Sequence, residues 1–212
     1  MTQTATEYAA RLEVDYPQRL DRLTTLFRIV LAIPIVFIAA LLSASGSETL
    51  KDASGETVTV AGSTIGSIIF ATALMILFRK RYPRWWFDFL RELTRFHGRV
   101  FAYLALLTDH YPSTVDEQGV HLEIDYPDAE RVLNRWLPLI KWLLVLPHVV
   151  VLAVLGVFAV LSVILAWFSI LLTGRYPGSL FEFVVGVWRW GLRVYAYAFL
   201  LVTDQYPPFS VR

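Results

Sequence analysis

The sequence of 212 residues contains no cysteine, which excludes disulfide bonds, thiolate metal sites and cysteine nucleophiles but leaves the redox compartment open. It also lacks a glycine-rich phosphate loop, a His-Glu-x-x-His motif and a nucleophile elbow, which are common catalytic patterns. The four histidines are scattered, and none recurs in a repeated motif: His97, His110, His121 and His148. We therefore expect no metal ion, no cofactor and no enzymatic activity.

Charged residues are also scarce, at 17% of the chain against about 25% in an average soluble domain. Hydrophobic residues make up 56%, which is more apolar surface than a soluble fold of this length could bury. The 7 Trp and 10 Tyr belong to the residue types that collect at the boundary between membrane and water. The composition predicts an integral membrane protein, and we expect no nucleic-acid partner.

The same series of motifs occurs twice along the chain. Residues 12–17, Leu-Glu-Val-Asp-Tyr-Pro, return at 122–127 as Leu-Glu-Ile-Asp-Tyr-Pro, a shift of 110. Four further blocks recur in the same order with shifts of 113, 94, 94 and 95: Arg22, Arg28 and Pro34 as Arg135, Lys141 and Pro147; residues 81–83 as 175–177; residues 99–103 as 193–197; and residues 108–112 as 203–207. This order predicts a tandem repeat, with residues 1–115 as the first copy and 116–212 as the second.

The fall in the shift from 113 to 94 indicates an insertion in the first copy, and the polar residues 43–63 are the candidate. That stretch could form a small hairpin around Ser54-Gly55, or a flexible loop. Ahead of each Tyr-Pro, apolar and polar residues alternate, as at Leu12 and Val14, so each copy is predicted to begin with a short strand.

Apolar runs predict two membrane hairpins and thus four transmembrane helices. Ile29 to Leu42 and Thr64 to Phe78 form the first hairpin, within residues 23–79, although each run is short for a bilayer core that takes about 20 residues. Trp142 to Thr173 holds 32 residues without a charge, too many for one span, so we predict a second hairpin within 136–173 that turns near Gly156. Residues 1–20 lack the apolar core of a signal peptide, so the first run should direct insertion.

The distribution of basic residues predicts the orientation. If both hairpins enter from one side, all of the 19 lysines and arginines except Lys51 lie on that side. Cytoplasmic segments carry an excess of Lys and Arg, so this asymmetry predicts a multi-pass protein with its N- and C-termini and its short strands in the cytoplasm.

The third helix of each copy, residues 84–107 and 179–202, is long enough to cross a membrane, but its charges favour the interface. On the first of these helices the charged residues recur at steps of one, three and four: Arg84, Asp88, Arg91, Glu92, Arg95 and Arg99. A charge at mid-bilayer costs roughly 2.5–3.5 kcal/mol on insertion scales, so we predict two amphipathic interfacial helices and a parallel repeat. Crossing helices would instead give six spans in an inverted repeat.

Several repeated residues are predicted to have structural roles. An Asp before Tyr-Pro can end a secondary-structure element, an acid on each interfacial helix can pair with a neighbouring helix, and a proline can kink a span. These residues are Asp15, Asp125, Asp109 and Asp204; Asp88 and Glu182; and Pro34 and Pro147.

Together, the Leu-Glu-x-Asp-Tyr-Pro, Ile-Pro and Leu-Pro-His, Arg-Tyr-Pro and Thr-Asp-x-Tyr-Pro motifs resemble those of the bacterial domain-of-unknown-function 4389 family, over residues 12–211. The segments 120–152 and 203–210 are especially similar to that family. The resemblance implies a bacterial inner-membrane protein, here with two tandem copies of the repeat, and it transfers no catalytic residue. One departure is Ile35, which stands where the second copy has His148.

The leading functional hypothesis is a non-enzymatic membrane protein that binds anionic lipid headgroups, a partner membrane protein or a second copy of itself. A small transporter or channel component with six crossing helices is the alternative. An enzyme acting on a lipid headgroup would need the acids before the Tyr-Pro motifs to converge in one pocket. In the leading hypothesis, the binding surface is the basic, aromatic face of the interfacial helices: Trp85, Trp86, Arg91, Arg95, Arg99, Trp188, Arg189, Trp190 and Arg193.

Overall fold

A computed structural model describes residues 8–43, 45–51, 57–114, 116 and 118–211. This part of the chain contains six helices and four strands, which form two separate two-stranded sheets. In chain order they are β1 (Ala10–Val14), α1 (Arg22–Leu42), β2 (Ser45–Lys51), β3 (Thr57–Ser63), α2 (Thr64–Arg79), α3 (Arg84–Leu104), β4 (Val120–Ile124), α4 (Pro138–Leu144), α5 (Leu146–Thr173) and α6 (Gly178–Ala198).

The two strands predicted from alternating residues form one antiparallel sheet. β1 pairs with β4, and Leu12 lies directly opposite Leu122 at the centre of the register. Both leucines are buried, whereas Glu13 and His121 beside them are exposed, as expected of a sheet with one solvated face. The equivalent motifs of the two halves of the chain therefore meet at the middle of the same sheet.

The polar stretch between α1 and α2 forms a β-hairpin, which is one of the two structures predicted for it from the sequence. β2 pairs antiparallel with β3, and Ser45 lies opposite Ser63. The predicted turn at Ser54-Gly55 lies outside the described residues. Because the hairpin returns the chain to its starting point, α2 begins close to where α1 ends.

The long apolar run of the second half forms one helix, so the predicted turn near Gly156 is wrong. Gly156 lies in the interior of α5, which continues for 28 residues and ends at Gly174 in a left-handed conformation with φ 71°. In the first half the polar hairpin interrupts the equivalent helix. In the second half no polar segment intervenes, and an unbroken helix satisfies its own backbone hydrogen bonds in apolar surroundings.

Two helices within the described residues, α1 and α5, are long and apolar enough to cross a membrane, judged by length and composition alone. α2 is apolar but has only 16 residues, and α4 has only 7. The structure thus supports two candidate spans where four were predicted. Pro34 lies inside α1, whereas Pro147 occupies the first turn of α5, where its missing N–H is tolerated.

The helices that follow the Arg-Tyr-Pro motifs form the centre of the molecule. α3 packs against α1 and β4, and α6 packs against α4, α5 and β1. Both helices begin directly after a proline in extended conformation, Pro83 or Pro177. They end at Leu104 and Ala198, a few residues before the predicted ends at 107 and 202. Protein covers α6 on more than one side, and residues such as Val184 and Trp190 are buried.

We predict that Gly186→Ala destabilises the fold by about 1–3 kcal/mol, because a Cβ at Gly186 would lie 2.6 Å from the backbone oxygen of Val211. Gly191 lies on the same helix with no atom within 4 Å of an added Cβ, so Gly191→Ala should be neutral or stabilising by up to about 1 kcal/mol. Unfolding of both purified variants in detergent tests this difference. Equal stability of the two variants would contradict the close approach of the C-terminal segment to α6.

Candidate functional site

Arg28, on α1, is a buried cation with only 2% of its surface exposed. Its Nη1 donates hydrogen bonds to the carbonyl oxygens of Tyr103, at 3.0 Å, and Thr108, and its Nη2 donates to a carboxylate oxygen of Asp109. The guanidinium also lies over the Tyr103 ring, 4.4 Å from the ring centre. These contacts attach the first turns of α1 to the last turn of α3 and to the segment that follows it.

Lys141, on α4, occupies the corresponding place in the second half and is 1% exposed. Its Nζ donates to the carbonyl oxygen of Thr203 at 2.7 Å and lies 2.8 Å from a carboxylate oxygen of Asp204. The Tyr197 ring centre lies 4.8 Å from the same nitrogen. Arg28 and Lys141 therefore make the same kinds of contact, each with a carbonyl, an aspartate and a tyrosine ring.

The two aspartates also hold the beginnings of the apolar helices. Asp109 accepts a hydrogen bond from the backbone N–H of Asp21 at 2.7 Å, and Asp204 accepts one from the backbone N–H of Asn134 at 2.5 Å. Asp21 in turn caps α1 by accepting from the amides of Leu23 and Thr24. Asp109 thus links a buried cation to the N-cap of α1, and Asp204 links one to the segment that leads into α4, so both have structural roles.

Of the residues predicted to bind lipid or a partner, those on α3 differ widely in exposure. Trp85 is 69% exposed, and Trp86 is half-buried and packs against it edge to face. Further along the helix, the arginines form ion pairs with acids of α3 or hydrogen bonds to carbonyl oxygens of other segments. Arg91 pairs with Asp88 and Glu92, Arg95 bonds to Glu92 and the Leu122 carbonyl, and Arg99 donates to the Ser113 carbonyl.

The corresponding residues on α6 face the protein. Trp190 is 4% exposed, and Trp188 packs against the ring of Phe101 at 4.8 Å between centres. Arg189 donates to the Leu12 carbonyl at 3.0 Å, and Arg193 donates to the Ser210 carbonyl. Glu182 is exposed at the start of the helix. The nine residues therefore do not form one continuous exposed face, and the exposed part lies at the first turn of α3.

The acids before the Tyr-Pro motifs do not converge in a pocket. Asp15 follows the end of β1 and lies 3.4 Å from His121, whereas Asp125 follows β4 at the opposite end of the sheet and pairs with Arg11 at 2.9 Å. Asp109 and Asp204 bind separate cations. Among the described residues there is also no group of three His, Asp or Glu side chains that could hold a metal ion.

Tyrosines of the repeated motifs connect the two halves. The Tyr126 hydroxyl donates to the carbonyl oxygen of Tyr82 at 2.6 Å, and the Tyr16 hydroxyl donates to that of Tyr176. Burial raises the pKa of the Tyr82 and Tyr176 hydroxyls, since the ionised form would lose its hydration. The Tyr82 hydroxyl is therefore protonated at neutral pH and donates to the Leu200 carbonyl at 2.9 Å.

His148 is fully buried in an aromatic cluster. Its Nδ1 accepts a hydrogen bond from the indole N–H of Trp190 at 3.0 Å, and its ring stacks on Phe209 with 3.8 Å between centres. Because Nδ1 accepts, the neutral ring carries its proton on Nε2. The sequence shows that His148 follows a proline. Its contact with Trp190, 42 residues further along the chain, could not be inferred from the sequence around either residue.

Residues 136–210 match a family model described as Domain of unknown function (DUF4389). The matched segment contains α4, α5, α6 and the C-terminal segment, with Lys141, His148 and Asp204. The match supports the family for this segment of the chain. No curated protein and no solved structure matches the chain.

We predict that Asp204→Asn destabilises the protein by about 3 kcal/mol, because it leaves the buried Lys141 charge without its counter-charge. Replacing the cation as well, in the double variant Lys141→Met/Asp204→Asn, should recover much of that loss. The control is Asp128→Asn, since Asp128 forms an exposed pair with Arg131 and should change stability by less than about 1 kcal/mol. Denaturant unfolding of the original protein, the two single variants Lys141→Met and Asp204→Asn, the double variant and the control tests this. Additive effects of the two single changes would contradict a coupled pair.

Proposed function

We propose that the chain is a non-enzymatic integral membrane protein that binds anionic lipid, or a partner membrane protein, through basic and aromatic side chains beside its apolar helices. One observation carries this proposal. α1 and α5 each pack against the rest of the protein along a narrow face, and most of their large apolar side chains are exposed. Soluble monomers rarely expose continuous apolar patches above a few hundred Å². A bilayer would cover this surface.

The internal contacts support a tandem repeat as part of this proposal. Arg95 of the first half donates to Leu122 of the second, and Arg189 of the second half donates to Leu12 of the first. Those two leucines face each other across the β1–β4 sheet. Reciprocal contacts of this kind are expected of two copies related by a two-fold axis through the centre of the sheet. If that axis runs along the membrane normal, both copies face the same side.

On this interpretation the protein lies in the bacterial plasma membrane as a multi-pass protein, with both termini in the cytoplasm. The exposed lipid-binding surface centres on the first turn of α3, where Trp85 and Trp86 follow Arg84, and Arg91 lies two turns further along the helix. Arg84 is mostly exposed and lies 3.9 Å from Asp88. Such aromatic and basic side chains bind membrane interfaces by apolar insertion together with charge attraction.

We predict that the purified protein partitions from detergent into phosphatidylglycerol vesicles in preference to phosphatidylcholine vesicles. The double variant Arg84→Gln/Arg91→Gln should lose about thirtyfold of this preference, since each basic residue near an anionic surface contributes about 1 kcal/mol. Its recovery in phosphatidylcholine vesicles, measured by flotation, should not change and serves as the control. Equal partitioning of the original protein into both vesicle types would contradict the proposal.

For the orientation, we predict that cysteines introduced at His110 and Gln205 react with a maleimide only from the cytoplasmic side. Both positions are exposed, follow α3 and α6 respectively, and are equivalent in the repeat. The chain has no other cysteine, so labelling reports these positions alone. Labelling in whole cells and in inverted vesicles tests the expectation. Reaction of the two cysteines from opposite sides would establish an inverted repeat with crossing helices.

A further inference from the structure

The start of α1 and the end of α5 lie side by side and form a seam between the two halves of the chain. The backbone N–H of Leu20 donates to the Gly174 carbonyl at 3.0 Å. Further along, the indole N–H of Trp167 donates to the Thr25 carbonyl at 3.2 Å. Two depressions follow one another along this seam, a basic one at the helix ends and an apolar one further in.

The basic depression is a cavity of about 610 Å³ lined by Arg19, Arg22 and Arg175 together with Leu20, Thr173 and Gly174. All three arginines are exposed. Within the part of the chain that the structure describes, none of their guanidinium groups has an ion pair or a hydrogen-bond acceptor. The nearest acid in sequence, Asp21, is not a lining residue, and its carboxylate accepts from the first amides of α1.

The equivalent depression in the other half differs in charge. It has a volume of about 650 Å³, and its basic residues Arg79, Lys80 and Arg81 share it with Asp128 and Glu130. Arg81 lies 3.6 Å from Glu130, and Lys80 reaches the Glu130 carbonyl. Acids thus compensate the positive charge there, whereas the depression at the seam has no lining acid. The depression with acids can therefore serve as a control for the depression without them.

The apolar depression is a groove of about 350 Å³ lined mainly by Ile29, Leu104, Leu106, Val163, Ile164 and Trp167. It begins one helical turn beyond Arg22, at Thr25, and positions 22, 25 and 29 share one face of α1. Arg28 also lines the groove, and its buried Nε has no hydrogen-bond partner among the described residues. Because this atom is inaccessible to solvent, an ester carbonyl in the groove could accept from it only after a local shift of the lining.

We infer that the seam binds one anionic phospholipid, with its phosphate among Arg19, Arg22 and Arg175 and an acyl chain in the groove. Guanidinium groups form charge-assisted hydrogen bonds to phosphate oxygens, and the apolar lining of the groove can hold an acyl chain by van der Waals contact. The groove is flanked by apolar residues of α1 and α5, so a lipid can enter it sideways from a bilayer. The inference rests on the proposed function in one respect, that α1 and α5 lie in the membrane.

The test compares two triple variants of the full chain in nanodiscs that contain phosphatidylglycerol and phosphatidylcholine. Lipid that remains bound after release into mild detergent is counted by native mass spectrometry. Arg19→Ala/Arg22→Ala/Arg175→Ala should retain about tenfold less phosphatidylglycerol than the original protein, because charged hydrogen bonds are lost. Arg79→Ala/Lys80→Ala/Arg81→Ala removes the same number of charges at the other depression and should change retention less than about twofold.

A second pair of variants tests the groove independently of the arginines. Val163→Trp fills the groove and should lower phosphatidylglycerol retention, whereas Val160→Trp lies on the exposed surface of α5 and should not. Because Val160 and Val163 are close in sequence on one helix, a general effect of the larger side chain would appear in both variants. A large excess of inorganic phosphate should displace little of the lipid, since it cannot occupy the groove.

Each contrary outcome overturns a defined statement. Equal retention by the two arginine variants, or by the two tryptophan variants, would overturn the seam site while leaving the proposed membrane function in place. Complete displacement by inorganic phosphate would show that a free anion, rather than a phospholipid, is the ligand. If the original protein does not enter bilayers at all, the proposed function and the seam site both fail.

Discussion

The pairing of a buried cation with an aspartate is the interaction on which the arrangement of the helices depends. An unpaired charge in an apolar interior costs several kcal/mol, so Arg28 and Lys141 can be buried only where carbonyl and carboxylate oxygens meet them. The segments after α3 and α6 supply those oxygens, at Asp109 and Asp204. This requirement brings the beginnings of α1 and α4 to the ends of α3 and α6.

The two halves of the chain are joined by contacts that each half makes with the other. β1 pairs with β4, and the arginine and tyrosine hydrogen bonds cross between halves in both directions. Among the described residues, neither of these two strands pairs with a strand of its own half. The hydrophobic core and the β1–β4 sheet therefore contain residues from both halves of the chain. A shared core also explains why α6 is buried on several sides.

Two expectations from the sequence differ from the structure. In both cases a local sequence pattern does not report the physical reason. The turn near Gly156 was predicted from the length of an apolar run, but length alone does not break a helix, and α5 continues through this position. The charged stripe on α3 was predicted to face water or lipid. Arg95 and Arg99 instead donate to backbone carbonyls of other segments, because these orphan oxygens need donors when the chain packs around them.

Features that depend on neighbouring residues could be predicted from the amino-acid sequence: the apolar character of α1 and α5, the strands at Leu12 and Leu122, and the positions of the recurring motifs. Which groups meet is known only from the folded chain, since Arg28 and Asp109 are 81 residues apart and their contact depends on the path of the whole chain. The same holds for the arginines at the seam, which come from both halves. Hydropathy and backbone propensity act over a few residues, whereas charge pairing acts through space.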